Sequence, residues 1–196
     1  MSTQVRPNIV TNGLVLHLDA ANIKSYPRSG TTWNDMSGNR NNGTLTNGPT
    51  FSSGNGGSIV FDGTDDYVNT NTLTGSLTTT VCVWCKVNYA SSKNFGRIVE
   101  KGTNSEWTLC LNKALSPATK FNLQYFDSNN ILQSNTDIDS TKYQFVAATI
   151  QDNGTSASAS LYVNGILDKT GNRAVTVSNL NGSIFIGSNQ NYLSTA

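Results

Sequence analysis

The sequence predicts an all-β, two-sheet antiparallel sandwich, and three observations carry that prediction. The apolar residues, 36% of a 196-residue chain, are gathered into short runs of strand length. Nearly every gap between those runs is filled by Gly, Asn, Asp, Ser or Thr, which hydrogen-bond their own backbone or tolerate positive φ. No stretch keeps a helical period, and the chain has no internal repeat. A length of 196 residues suits one undivided sandwich domain. The expected division is an N-terminal arm, 1–12, followed by one domain over 13–196.

The elements follow in order. Leu14-Val15-Leu16-His17-Leu18-Asp19 alternates, with Leu14, Leu16 and Leu18 on one face and His17 on the other. Ala20 to Tyr26 allows one helical turn, stopped by Pro27. Ser58-Ile59-Val60-Phe61 and Tyr67-Val68 flank a turn, Asp62-Gly63-Thr64-Asp65-Asp66. Further strands are expected over Thr80 to Val87, Gly96 to Glu100, Trp107 to Leu111 and Phe121 to Phe126. Asp127 to Asn130 reads as the next turn. Gln144 to Ile150, Ala159 to Val163 and Ser183 to Ile186 complete the set. Asn164-Gly165 is a two-residue hairpin signal, because both residues accept the positive φ of a type I′ turn. Asp152-Asn153-Gly154 gives the same kind of signal in the preceding hairpin. The predicted core comprises Leu14, Leu16, Leu18, Ile59, Phe61, Val83, Phe145, Leu161, Val163 and Ile186. Trp84 is also expected in the core, and Trp107 suits either a core or a surface position.

Composition narrows function. Thirteen Lys and Arg against twelve Asp and Glu give a net charge of +1, and the basic residues never form a run. A nucleic-acid binder shows a basic patch instead. No segment approaches the roughly 18 apolar residues of a membrane span, and Met1 to Pro7 lacks the apolar core of a secretion signal. Neither nucleic acid nor membrane is therefore an expected partner. Cys82, Cys85 and Cys110 are an odd number, which opposes a closed disulfide framework. Cys82 and Cys85 have Cys-x-x-Cys spacing, but residues three apart on a strand point to opposite faces. Buried, inert thiols are the expectation.

At Gly57-Ser58-Ile59-Val60-Phe61-Asp62-Gly63-Thr64-Asp65-Asp66-Tyr67-Val68 the chain resembles the Phe-Asp-Gly-x-Asp-Asp-Tyr-Val signature of laminin-G-like, concanavalin A-like lectin/glucanase domains. Gly13 to Asn22 resembles the same family, as does Trp33 to Asn39 leading into Asn42-Gly43-Thr44-Leu45. Leu161-Tyr162-Val163-Asn164-Gly165, with Ile184-Phe185-Ile186-Gly187 after it, adds a third such segment. The resemblance implies a jelly roll. Its first two segments, joined as here, particularly resemble domains in structural proteins of tailed phages. That implies a non-enzymatic virion component, made in the host cytoplasm: a capsid decoration, fibre or appendage protein that contacts other virion proteins or copies of itself. Family members usually continue past Ile-Phe-Ile-Gly into a further closing strand. The expectation is that the Ser183–Ile186 strand borders an empty position, filled by chain beyond Ala196 or by a neighbouring subunit.

Two other functions are weighed against the first. A carbohydrate-binding module for host polysaccharide would use aromatic faces beside amides, and Tyr26, Trp33, Asn39 and Asn42 are the candidates, although Trp33 is better explained as core. A glucanase-like hydrolase needs two carboxyl groups about 5–5.5 Å apart in a retaining enzyme. The chain has two glutamates, Glu100 and Glu106, separated by a predicted hairpin loop and expected to be solvated. His17 has no motif around it that would make a catalytic triad. Asp62, Asp65 and Asp66 form the acidic cluster. It could help hold calcium, which takes six to eight oxygen ligands, or it could be turn chemistry alone. Calcium occurs at a rim in laminin-G relatives, which keeps it as a candidate cofactor.

Overall fold

The structure, a computed structural model, describes residues 9–74, 78–87, 96–102, 106–112, 120–125, 127–174 and 181–187. Its strands are β1 (Thr32–Trp33), β2 (Gly43–Thr46), β3 (Thr50–Ser52), β4 (Ser58–Val60), β5 (Tyr67–Thr74), β6 (Thr79–Cys85) and β7 (Arg97–Lys101). They continue as β8 (Trp107–Asn112), β9 (Lys120–Tyr125), β10 (Asp127–Asp137), β11 (Gln144–Asp152), β12 (Ser156–Val163), β13 (Ile166–Ala174) and β14 (Asn181–Ile186). Helix is confined, among the described residues, to a single 3-10 turn at Gly54–Gly56. No helix among them is long and apolar enough to cross a membrane.

Eight strands form one sheet in the order β1-β2-β5-β14-β7-β8-β9-β10, and four form a second, β13-β12-β11-β6. β3 and β4 make a separate hairpin. Every pairing is antiparallel. The main core lies between the two large sheets. β12 shows how the sequence builds it: in Ser156–Val163 every second residue is buried, Ala157, Ala159, Leu161 and Val163. Opposite stand Leu109, Phe121 and Leu123 of the larger sheet. Burying a Leu or Phe side chain of this kind contributes about 1.5–3 kcal/mol. A second cluster joins Ala20, Tyr26, Trp33, Leu45 and Val68, with Leu18, Phe51, Ile59 and Phe61 against it.

The hairpin at Asn164-Gly165 forms as expected, with φ of 51° and 82°. The turn after β11 also forms, closed by Asn153 N donating to Ser156 O at 2.8 Å.

Several expectations are corrected. Leu14 to Asp19 is no strand. Its backbone is bonded mainly by side chains instead: His17 N donates to Asp35 Oδ1 at 2.9 Å, and the Asn41 amide donates to Val15 O at 2.9 Å. Leu16 and Leu18 still pack inward, half-buried, so the alternation was meaningful without a strand partner. Asp127 to Asn130 falls within β10, at a register shift between Asp127 and Ile131. Phe145 points away from the core, because β11 buries Val146, Ala148 and Ile150. A one-residue register error inverts a whole strand in this way. Trp84, its cross-strand partner, is 68% exposed, whereas Trp107 is buried. β14 does not border an empty position: it is paired with β5 on one side and β7 on the other.

Candidate functional site

The acidic turn between β4 and β5 is built by its own hydrogen bonds. Asp62 Oδ1 accepts from Thr64 N at 2.7 Å, and Asp66 Oδ2 accepts from Asp62 N at 3.0 Å. Asn47 ties the turn to the loop after β2 by donating to Asp65 O. One carboxylate oxygen from each of Asp62, Asp65 and Asp66 lies within 4.8 Å of the others. The bond from Thr64 N lowers the Asp62 carboxyl below its ordinary range. Burial raises Asp66, with the charges of Asp62 and Asp65 acting in the same direction. This is a donor set that suits a divalent cation: three hard oxygens close together, two of them in mutual repulsion with the third.

Tyr26 and Trp33 are brought together, but in the second core cluster. They are 3% and 8% exposed, with ring centroids 6.4 Å apart. Phe51 covers Tyr26 at 5.9 Å, and the Tyr26 hydroxyl donates to Gly30 O at 2.8 Å. Their faces therefore pack against protein and offer no stacking surface to a sugar. Asn39 and Asn42 serve the loop around Asp35. The Asn39 amide donates to Leu14 O, and Asn42 Oδ1 accepts from Asp35 N. Burial would raise the Asp35 carboxyl, but bonds from Ser37, His17 and Asn41 outweigh it and lower it.

The thiols divide. Burial pushes Cys85 and Cys110 up to about 12, which suits inert groups. Cys82 is exposed on the outside of the four-stranded sheet, contrary to expectation.

The glutamates depart furthest from the sequence reading. Glu100 is not solvated: it is 0% exposed and paired with Arg97. Glu106 pairs with Lys101 at 3.0 Å, in a largely buried contact. Glu100 belongs to a polar array on the face of the eight-stranded sheet turned away from the core. Registered partners share a face, so the pairings Glu100–Thr108–Gln124 and Arg97–Cys110–Asn122–Gln133 place these side chains in two adjacent rows. Phe185 extends the first row toward Asn69. Thr108, Cys110 and Asn122 are wholly buried. The Thr108 hydroxyl, both polar atoms of the Asn122 amide and Asn69 Oδ1 have no hydrogen-bond partner. No local sequence motif marks this array. Its signal was the alternation Thr108-Leu109-Cys110-Leu111 and Phe121-Asn122-Leu123-Gln124, polar residues between core residues.

The profile of the concanavalin A-like lectin/glucanases superfamily matches residues 62–196, well over half of the chain, beginning at the acidic turn. The chain belongs to this superfamily. Concanavalin A-like domains include both lectins and glucanases, so membership states the architecture and leaves binding or catalysis to the site. A similar solved structure is the crystal structure of an HCR/D tryptophan-to-alanine mutant, with a TM-score of 0.64 and 19% identity. The match covers 92% of this chain and 44% of that one, so this chain spans less than half of its neighbour's length. At that identity the likeness is one of fold. No curated protein matches the chain.

Proposed function

We propose that this concanavalin A-like domain is a non-enzymatic structural module of a phage virion, serving in capsid decoration, a fibre or an appendage. Its partners are other virion proteins or further copies of itself. The observation that carries the assembly reading is the outer face of the four-stranded sheet. Trp84 and Phe145 lie there as a registered pair with ring centroids 5.5 Å apart. Both Phe145 N and Phe145 O bond Asn164, which sets the rings beside the β12–β13 turn. Just past that turn Ile166 and Leu167 are 73% and 54% exposed. A concentration of exposed large apolar side chains at one end of a sheet is the mark of a contact surface. Both glutamates are engaged in ion pairs, which supports a role without glycosidase chemistry. Purified particles test the reading. The wild-type chain copurifies with them, and Trp84→Ser together with Phe145→Ser lowers its occupancy. Full occupancy of the double variant would remove this face from assembly.

A second reading, recognition of host polysaccharide, is favoured by the unpartnered polar groups on the eight-stranded sheet.

Calcium is the cofactor proposed for the turn at Asp62, Asp65 and Asp66. A cation bound only by the folded state stabilises it by mass action, about 2.7 kcal/mol at a hundredfold excess over Kd. Millimolar calcium is expected to raise the melting temperature by several degrees over chelator, and Asp65→Ala should remove the increment. The increment should shrink as pH falls through the carboxylate range, since protonated carboxyls do not ligate. Equal melting temperatures in calcium and chelator would leave the cluster as turn chemistry alone.

A further inference from the structure

An edge strand presents unpaired backbone N–H and C=O groups, and folded proteins blunt such edges with charges, bulges, short length or a covering segment. Among the described residues the two large sheets have four edges, and three of them are blunted. β1 is two residues long. β10 is shifted in register twice and carries Asp127 and Asp137. Asp168 also covers it, accepting from the backbone N–H groups of Asn135 and Thr136. β13 carries a register shift together with Asp168, Lys169 and Arg173. β6 has none of these devices. Its seven residues, Thr79-Thr80-Val81-Cys82-Val83-Trp84-Cys85, hold no charge, Pro or Gly, and they pair with β11 without a shift. No described strand lies on its other side. The core is open here as well. Val81 and Val83 face it but are only half-buried, whereas Ala157, Ala159 and Leu161 on β12 are at most 2% exposed.

We propose that β6 pairs with β6 of a second copy of this chain, antiparallel across a two-fold axis, joining two four-stranded sheets into one. An occupant of this edge must be extended, uncharged and apolar at every second position. β6 itself meets all three conditions. With the axis at Cys82, the middle of the strand, Cys82 stands opposite its own equivalent. Val81 of one copy then faces Val83 of the other on the core side, and Thr80 faces Trp84 on the outer side. These are favourable cross-strand pairs, β-branched with β-branched and β-branched with aromatic, and no like charges meet. Shared ladder hydrogen bonds supply affinity, and the two half-open cores close against each other. An isologous contact of this kind stops at the dimer and does not propagate. The inference deepens the assembly reading above by naming a second copy as the partner, and it rests on that reading.

The test is sedimentation velocity on the 196-residue chain at about 100 µM, where a complex of micromolar Kd is nearly all formed. Wild type should sediment as a dimer. Cys82 is exposed, so substitution there should leave the melting temperature of the dilute chain almost unchanged. Cys82→Lys and Cys82→Glu each set like charges opposite one another at the axis, and each should raise the dissociation constant about tenfold or more. Mixing the two variants should restore a dimer, because opposite charges then meet. A short bismaleimide should join two wild-type chains through Cys82 under native conditions. A wild-type chain that stays monomeric would overturn the pairing, and so would dimers that persist unchanged in both variants. Folded variants that fail to associate when mixed would overturn the axis at Cys82. Particle occupancy is read separately. A monomeric chain that still copurifies with particles leaves the assembly reading standing without this partner. A dimer sensitive to both Cys82 variants but absent from particles upholds the pairing and removes the virion role.

Discussion

The two sheets have outer faces of opposite character. On the four-stranded sheet the outward residues include Trp84, Phe145 and Leu167, apolar and solvent-facing. On the eight-stranded sheet the corresponding face carries Glu100, Thr108 and Asn122, polar and wholly buried. A sandwich needs apolar residues only on its two inner faces. Each outer face therefore departs from what folding alone requires, and in opposite directions. The lesson is that the two outer faces carry different burdens: the exposed apolar face of the four-stranded sheet is open to partners, whereas the buried polar face of the eight-stranded sheet must keep its ion pair intact for the fold to stand.

The largest effect expected from this contrast is on the buried polar face. Removing one member of a buried ion pair leaves the other uncompensated and costs about 3–5 kcal/mol. Glu100→Ala should therefore lower stability by that order in chemical denaturation. A loss below about 1 kcal/mol would mean that water reaches Glu100 and that the two faces are less different than they look.

The cysteines offer a matched comparison, one thiol on each outer face. Cys82 should react with a maleimide in the native protein, while Cys85 and Cys110 should wait for unfolding. One label per native chain and three in denaturant is the expected count. The linkage has a definite sign. Burial pushes the Cys85 and Cys110 thiols up to about 12 in the fold, against about 8.5 in an unfolded chain. The folded state therefore holds protons that the unfolded state releases. Stability is fully present below about pH 8.5 and falls as pH rises through the window up to about 12. Cys110→Ser, whose hydroxyl does not titrate there, should flatten some of that decline.

The smallest expected effect belongs to the exposed face. Trp84→Ser should change stability by within about 0.5 kcal/mol, as for a surface substitution without a buried partner. A loss of 2 kcal/mol or more would place Trp84 in a packed environment and erase the contrast between the sheets.

Most of the architecture was legible in the residues. Alternation located β12, Asp152-Asn153-Gly154 marked its turn from β11 and Asn164-Gly165 the turn that follows it, because side-chain period and turn conformation are local properties; the strand β13 beyond that second turn was not among the expected elements. The acidic turn was also legible, since Asp62, Asp65 and Asp66 are close in sequence and must be close in space. The burial of Tyr26 and Trp33 was not legible, for a different reason. An aromatic ring next to amides reads the same whether its face meets solvent or, as for Tyr26 and Trp33, Phe51 and Val68.

What the sequence determined by itself was the class of fold, the places where the chain turns and a glutamate count of two. Tertiary structure alone decided which face of a strand met the core, as Phe145 and Trp84 show. It alone assembled Asn69, Glu100, Thr108 and Asn122 into one strip. These four come from four different strands, and the pairing of β14 between β5 and β7 is what brings Asn69 to the rest. Residues far apart along the chain acquire a common chemistry only when strand register sets them on one face, and register is fixed by contacts that no local pattern contains.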